Sequence, residues 1–418
     1  MREAWITNFD VSPFLMSNTT TGCKHTTKAA RGTSRYRYIQ IAIVLSGVSV
    51  FAQLYLFQPL LPELSREFGL SPAISSLSVS AGTAGMAVGL FAFAFWADLL
   101  PRKKLMVISM FSAAFLTLIT AASHTYGMLV VIMFLKGIAI SGISAVALAY
   151  LAEEVALGSL GIVVSLYLSG NTFGGMWGRV FADLSAAWGG WRWATLLIGG
   201  IGLMLALLFK YVLPASNYFE PKQISTGYKL RQMRIFLRDR VLLSMFCIAA
   251  LMMGAFVSIY NYLSFRLEAP PFSLPSYIVA AVFMMYLTGI AGSIVAGWYT
   301  NRFRASSILK VLIGIFLIST LMLLAPNIWI FVIGLGIATF SFFGAHTMAS
   351  HIISQHVASG KSTATSIYWL FYYVGSSIIG TVMGAALSNL GWTLFIVILI
   401  AILILALLAA IVSETGTK

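Results

Sequence analysis

The chain has 418 residues, 59% of them hydrophobic and only 9% charged, where a soluble domain averages about 25% charged residues. Its mean hydropathy is +0.92, and apolar runs of about twenty residues recur throughout, which excludes a soluble globule and predicts membrane-spanning helices. These runs lack the strict alternation of a membrane β-barrel, and the net charge of +14 is distributed as a membrane topology rather than as a nucleic-acid surface.

The expected fold class is an all-α polytopic membrane protein with twelve transmembrane helices in two pseudo-symmetric six-helix bundles. Residues 1–37 read as a disordered cytoplasmic tail rich in Ser and Thr, with Met16 as a second candidate start. Its one apolar patch, 11–16, is too short for a signal-peptide core. The N-terminal bundle is predicted over 38–213, with spans near 38–61, 74–97, 105–123, 128–150, 160–183 and 193–213. A basic cytoplasmic linker follows at 214–240. The C-terminal bundle occupies 241–412, with spans near 241–264, 277–299, 306–324, 328–350, 363–387 and 392–412, before a short tail at 413–418. Turn residues punctuate this series, among them Pro59, Pro62, Pro101, Gly189-Gly190, Pro214 and Gly391.

Orientation follows from the basic residues, because basic loops stay cytoplasmic. With the N-terminus inside, 21 of the 26 Lys and Arg fall on inner segments, three in outer loops and two, Lys136 and Arg179, within spans. Both termini are therefore expected inside. Cys23 and Cys247 support neither a disulfide framework nor a metal site.

The two halves repeat at an offset of about 200 residues: Gly85 answers Gly289, Gly170 and Gly175 answer Gly375 and Gly380, and Gly190-Trp191 answers Gly391-Trp392. Parallel repeats of this kind belong to transporters with a substrate site near midplane between the halves. Gly170, Gly174 and Gly178 fall four apart, so they line one helix face and predict a close helix seam that also moves in a transport cycle.

Lys136 lies about nine residues from the outer end of span four, roughly 13 Å deep. A charge at that depth is expected to face the interior cavity, with snorkelling toward the outer headgroups as the alternative. Arg179 and Asp183, four apart, read as a local ion pair at the outer end of span five, with a gate at the outer mouth as the alternative. No carboxylate lies near midplane in any span, which favours neutral, amphipathic or anionic cargo over organic cations. An intramembrane enzyme would need a catalytic constellation at one depth. His346, His351 and His356 straddle a span boundary without a nearby acid, so neither metal nor other cofactor is expected.

Three patterns resemble the major facilitator superfamily over roughly residues 38–412. In the loop after span two, Asp98, Arg102 and Lys103 match its acidic–basic signature, whereas Ala94, Leu99 and Pro101 depart from it. The second copy keeps Gly297 and Arg302 but has Asn301 for the acid. The resemblance implies a conformational switch at Asp98, Arg102, Lys103 and Arg302. The glycine ridge resembles the fifth-helix motif of the drug/proton antiporter branches, with Gly175 where that motif has proline and Arg179 where it often has glycine. In span four, Met133 stands where the family carries an arginine linked to proton coupling.

The family's central cavity is lined by spans one, four, seven and ten, with contributions here from five and eleven. That makes Gln53, Gln58, Lys136, Asn171, Asn261, His346 and Tyr372 the cavity candidates. The resemblance implies a monomeric secondary transporter in the bacterial inner membrane that binds a small molecule, driven by protons rather than ATP. Efflux is the expected direction. An importer on the same fold and a non-transporting receptor are the rivals.

Overall fold

The computed structural model describes residues 28–221 and 225–415, apart from the side chains of Asp98, Glu414 and Thr415. The expectations for 1–27, Cys23 and Met16 among them, and for 416–418 lie outside the described residues. Ten helices are long and apolar enough to cross a membrane. Two of them, Leu157–Val212 and Lys361–Thr415, fold back at Gly189-Gly190 and at Gly391 and contribute two spans each, so the described residues form twelve spans. Gly190 and Gly391 adopt almost the same conformation, φ 76° with ψ 179° and 178°. Only glycine takes that backbone readily, and its recurrence at equivalent turns makes the repeat visible in three dimensions.

Span one runs Ser34–Tyr55 and ends earlier than its apolar run suggests. Pro59 has no amide to donate to the carbonyl of Tyr55, and its ring would clash there, so the helix stops four residues before it. A short helix, Leu61–Phe68, follows, with Leu61, Pro62 and Leu64 buried. Spans two to four are Pro72–Trp96, Arg102–Thr120 and Tyr126–Glu154, and spans five and six are 157–188 and 191–212. The second half runs Arg240–Glu268, Ser276–Tyr299, Ala305–Met322, Ile328–His356, 361–390 and 392–415. Side-chain caps fix several starts: Thr125 accepts from the Met128 amide, Asp239 from Leu242 and Asn327 from Trp329. Burial pushes the Asp239 carboxyl up, but the Leu242 amide and His356, 3.0 Å away, outweigh it and hold the group below its usual range.

Two segments differ from their expected character. Residues 28–33, assigned to the tail, dock on the turn between spans four and five: the Ala29 amide donates to Glu154 O at 2.8 Å and the Ala156 amide to Ala29 O at 3.0 Å. The basic linker folds into a helix, Thr226–Phe236, capped by Ser225. It touches both halves, through Lys229 Nζ to Ala94 O at 2.7 Å and Thr363 Oγ1 to Gln232 Oε1 at 2.8 Å.

The glycine seams draw helices together in matching pairs. Gly170, Gly174 and Gly178 of span five lie against Val44, Val48 and Ala52 of span one. A Cβ on Gly174 would stand 2.5 Å from the Val48 backbone, so no larger residue fits there. In the second half Gly375 of span eleven meets Ala250 of span seven, and Gly380 meets Val257.

Candidate substrate cavity

Between the halves lies a cavity of about 360 Å³, within the size range of small-molecule sites. It follows span five from Ser165 to Arg179, about 21 Å at 1.5 Å per residue. Its open end lies by Ser165 and Gly297, on the face that carries the basic loops. The opposite end is shut by contacts between the halves. Gln58 Nε2 donates to Asn261 Oδ1 at 2.6 Å, Thr381 Oγ1 to Ser80 Oγ at 2.7 Å, and Arg66 pairs with Glu268 at 3.2 Å.

Each wall has its own chemistry. Span five presents Ser165, Ser169, Thr172, Gly175 and Arg179, a stripe of small or polar residues beside the glycine seam. Opposite stand aromatic rings from the second half: Phe256 and Tyr286 lie 5.7 and 6.0 Å from Phe343, and Trp369 lies 5.0 Å from Tyr372. Among the described residues, Arg179 is the one formally charged member of the lining. Its guanidinium is held between two rings, 4.3 Å from Tyr55 and 4.2 Å from Tyr286, in cation–π contact with both. Its Nε donates to Gln58 Oε1 at 2.5 Å, Nη1 to Gly175 O at 2.5 Å and Nη2 to the Tyr286 hydroxyl at 2.9 Å. One side chain thus ties the two halves together at the closed end.

This corrects the outer-end ion pair. Arg179 forms no pair with Asp183, whose Oδ2 is buried without a partner among the described residues. Helical side chains lean toward the N-terminus of their helix, so Arg179 lies back over Gly175 rather than forward toward Asp183. A Cβ on Gly175 would stand 3.1 Å from Nη1; the missing side chain makes room for the guanidinium.

Among the cavity candidates, Asn171, His346 and Tyr372 line the space. His346 Nδ1 is 2.7 Å from the Tyr368 hydroxyl, and its ring lies 5.2 Å from Tyr372. Gln58 and Asn261 sit just beyond the cavity, in the closure. Gln53 is turned into the first bundle, where Thr117 donates to it at 2.9 Å. Lys136 is also off the cavity: it is fully buried, Nζ has no hydrogen-bond partner among the described residues, and it lies 5.8 Å from the Phe57 ring. Depth alone misplaced it, because a span has an inward face toward its own bundle as well as one toward the cavity. Tyr286, Ser293 and Gly297 of span eight were not anticipated. Their spacing with Ile290, four, seven and eleven residues on from Tyr286, is the helical-face signal that would have found them.

On the basic face, Arg102 pairs with Glu153 at 3.0 Å and donates to Ala97 O at 2.7 Å, while Lys103 Nζ donates to Leu213 O. The side chain of Asp98 lies outside the described residues. Arg302 stacks near Trp298, 5.7 Å from its ring.

Comparison with known proteins accounts for this architecture. An uncharacterized transporter of Buchnera aphidicola subsp. Schizaphis graminum (strain Sg) is 38% identical over 381 residues, 91% of this chain and 92% of that one. The inner membrane transport protein YnfM of Escherichia coli (strain K12) is 35% identical over 378 residues, 90% of this chain and 91% of its own length. The fold matches that of a bacterial homolog of the human lysosomal transporter Spinster in an inward-facing, occupied conformation, with a TM-score of 0.76 at 14% identity over 92% of this chain and 97% of that one. The family model described as Major Facilitator Superfamily matches residues 43–378. The chain is therefore a multi-pass membrane transporter, not an enzyme, and belongs to the Major Facilitator Superfamily.

Proposed function

We propose that this protein is a proton-coupled secondary transporter that exports an amphipathic, neutral or anionic small molecule across the bacterial inner membrane, working as a monomer by alternating access. The observation that carries this reading is the cavity between the halves, open toward the basic face and shut beyond Arg179 by Gln58–Asn261 and Ser80–Thr381. Under the topology read from the basic loops, both termini are cytoplasmic and this is the inward-open state. The seams on Gly174 and Gly375 are the surfaces on which helices slide as the closure passes to the other end. Asp98, Arg102, Lys103 and Arg302 act as the switch on the basic face, where an ion pair such as Arg102–Glu153 breaks between states.

Import on the same fold is the second reading. It is favoured by the departures of the fifth span from the antiporter pattern, with Gly175 for proline and Arg179 for glycine. Purified protein in proteoliposomes of known orientation, preloaded with a mixture of small amphiphiles, separates the two. Export requires proton-driven movement from the basic-loop side to the opposite side, and import requires the reverse. Vesicles that move no solute under any imposed proton gradient would overturn both and leave a receptor that binds without carrying.

A further inference from the structure

We propose that the cavity selects monoanionic aromatic acids, with the carboxylate on Arg179 and the ring among the aromatic side chains of the second half. This rests on the transporter reading above and adds the substrate class.

Charge is the first argument. Arg179 is 1% exposed, and among the described residues no Asp or Glu lines the cavity with it. Its charge is met by ring faces and neutral oxygens alone. A buried charge without a counter-ion is costly, so an anion entering from the open end gains what this site lacks. A cation is repelled, and a neutral molecule leaves the guanidinium uncompensated.

Geometry is the second. Guanidinium carries five N–H donors, and three are used, by Gln58, Gly175 and Tyr286. One N–H remains on each terminal nitrogen. Two donors on one planar group suit the two oxygens of a carboxylate. A second negative charge on the ligand would find no second Lys or Arg among the described lining residues, which favours monoanions.

The third is the opposite wall. Phe256, Tyr286 and Phe343 form one group of rings with centroid separations of 5.5 to 6.0 Å, Trp369 and Tyr372 a second at 5.0 Å, and Phe342 joins the two, 3.9 Å from Phe256 and 6.4 Å from Tyr372. Rings at such spacing accept another ring edge-on or offset, and the remaining space is about 360 Å³, enough for a small aromatic acid.

The test uses the full-length protein in nanodiscs near pH 7.5, with benzoate and 3-phenylpropionate as probes. Benzamide and 3-phenylpropanamide serve as neutral matches, and benzylamine as a cation. Calorimetric titration should give each acid a dissociation constant about tenfold or more below that of its amide, the scale of a charge-assisted contact. Arg179→Gln should bring that ratio to within about twofold. The acid-to-amide ratio of the unaltered protein is a readout that needs no variant, so misfolding of Arg179→Gln cannot hide the answer. Amides binding as tightly as acids, acids that do not bind, or an acid preference that survives Arg179→Gln would each overturn the inference. The same compounds in proteoliposomes keep the two readings apart. Acid binding without flux would uphold the ligand class and overturn transport, whereas flux of amides or amines but not acids would uphold transport and overturn the ligand class.

Discussion

Lys136 and Arg179 are basic side chains far from the ends of their spans in the first half, both buried, and the fold treats them in opposite ways. Lys136 is fully buried, with no hydrogen-bond partner among the described residues and the Phe57 ring at 5.8 Å. Arg179 is held by three hydrogen bonds and two rings drawn from both halves. Both lie far from the ends of their spans, yet only Arg179 lines the cavity between the halves. Helix face and the room beside the head group, set here by Gly175, decide which buried charge is available to a ligand.

The contrast predicts a graded series of effects. Arg179→Ala removes the cation and all three of its bonds, and should lower flux of the carried compound by about 100-fold or more, given roughly 1.5–3 kcal/mol for each contact to a charged group. Membrane abundance should stay within about twofold, and flux within about threefold of the unaltered protein would erase the distinction between the two sites. Gly175→Val crowds Nη1 of Arg179, the far end of a flexible side chain, which lies 3.1 Å from where the new Cβ would stand. Apparent affinity should weaken roughly tenfold as one charged contact is strained. Gly178→Val, by contrast, meets the backbone of Ala52 and should reduce the amount of folded protein instead; equal losses in both variants would show that Gly175 belongs to the seam. Gln58→Leu removes the link from Arg179 to Asn261. Loosening that closure should raise labelling of Ala73→Cys by an impermeant maleimide about fivefold, for roughly 1 kcal/mol of lost bonding. The background for this test is Cys23→Ser, Cys247→Ser, and Ala73 is suited to it because it lies against Gly384 at the closed end.

Span number, the repeat and the seam were legible in the sequence because each rests on one-dimensional periodicity. Twenty-residue apolar runs, glycines four apart and paired Gly-Trp turns at Gly190 and Gly391 need no partner to be seen. The end of span one at Tyr55 was also encoded, in Pro59, but apolar content alone carries the run past it. The cavity was only partly legible. Asn171, His346 and Tyr372 were named, and Gln53 was not separable from Gln58 because both are amides in one polar patch. Their faces differ once the helix breaks between them: Gln53 turns to Thr117, while Gln58 sits beyond the break and reaches Asn261. Arg179 was assigned to Asp183 because i, i+4 spacing is local, whereas two of its three hydrogen-bond partners, Gln58 and Tyr286, are 121 and 107 residues away.

The smallest expected effect is the one that tests Lys136 itself. A buried amine with no hydrogen-bond partner is costly, more so when charged, so an apolar side chain of similar length should be neutral or stabilising there. Lys136→Met keeps the volume beneath Phe57 and removes the charge. If Lys136 is only a sealed residue of the first bundle, flux should stay within about twofold and the melting temperature of the purified protein should hold or rise. If it carries a proton during the cycle, the same variant should melt no earlier yet lose proton-driven flux while still exchanging solute across the membrane without a gradient. Exchange and driven flux, measured side by side, therefore separate a packing role from a coupling role even though the charge is out of reach of the cavity in this state. That second outcome would mean the two buried cations divide the work, Arg179 meeting the solute and Lys136 the proton.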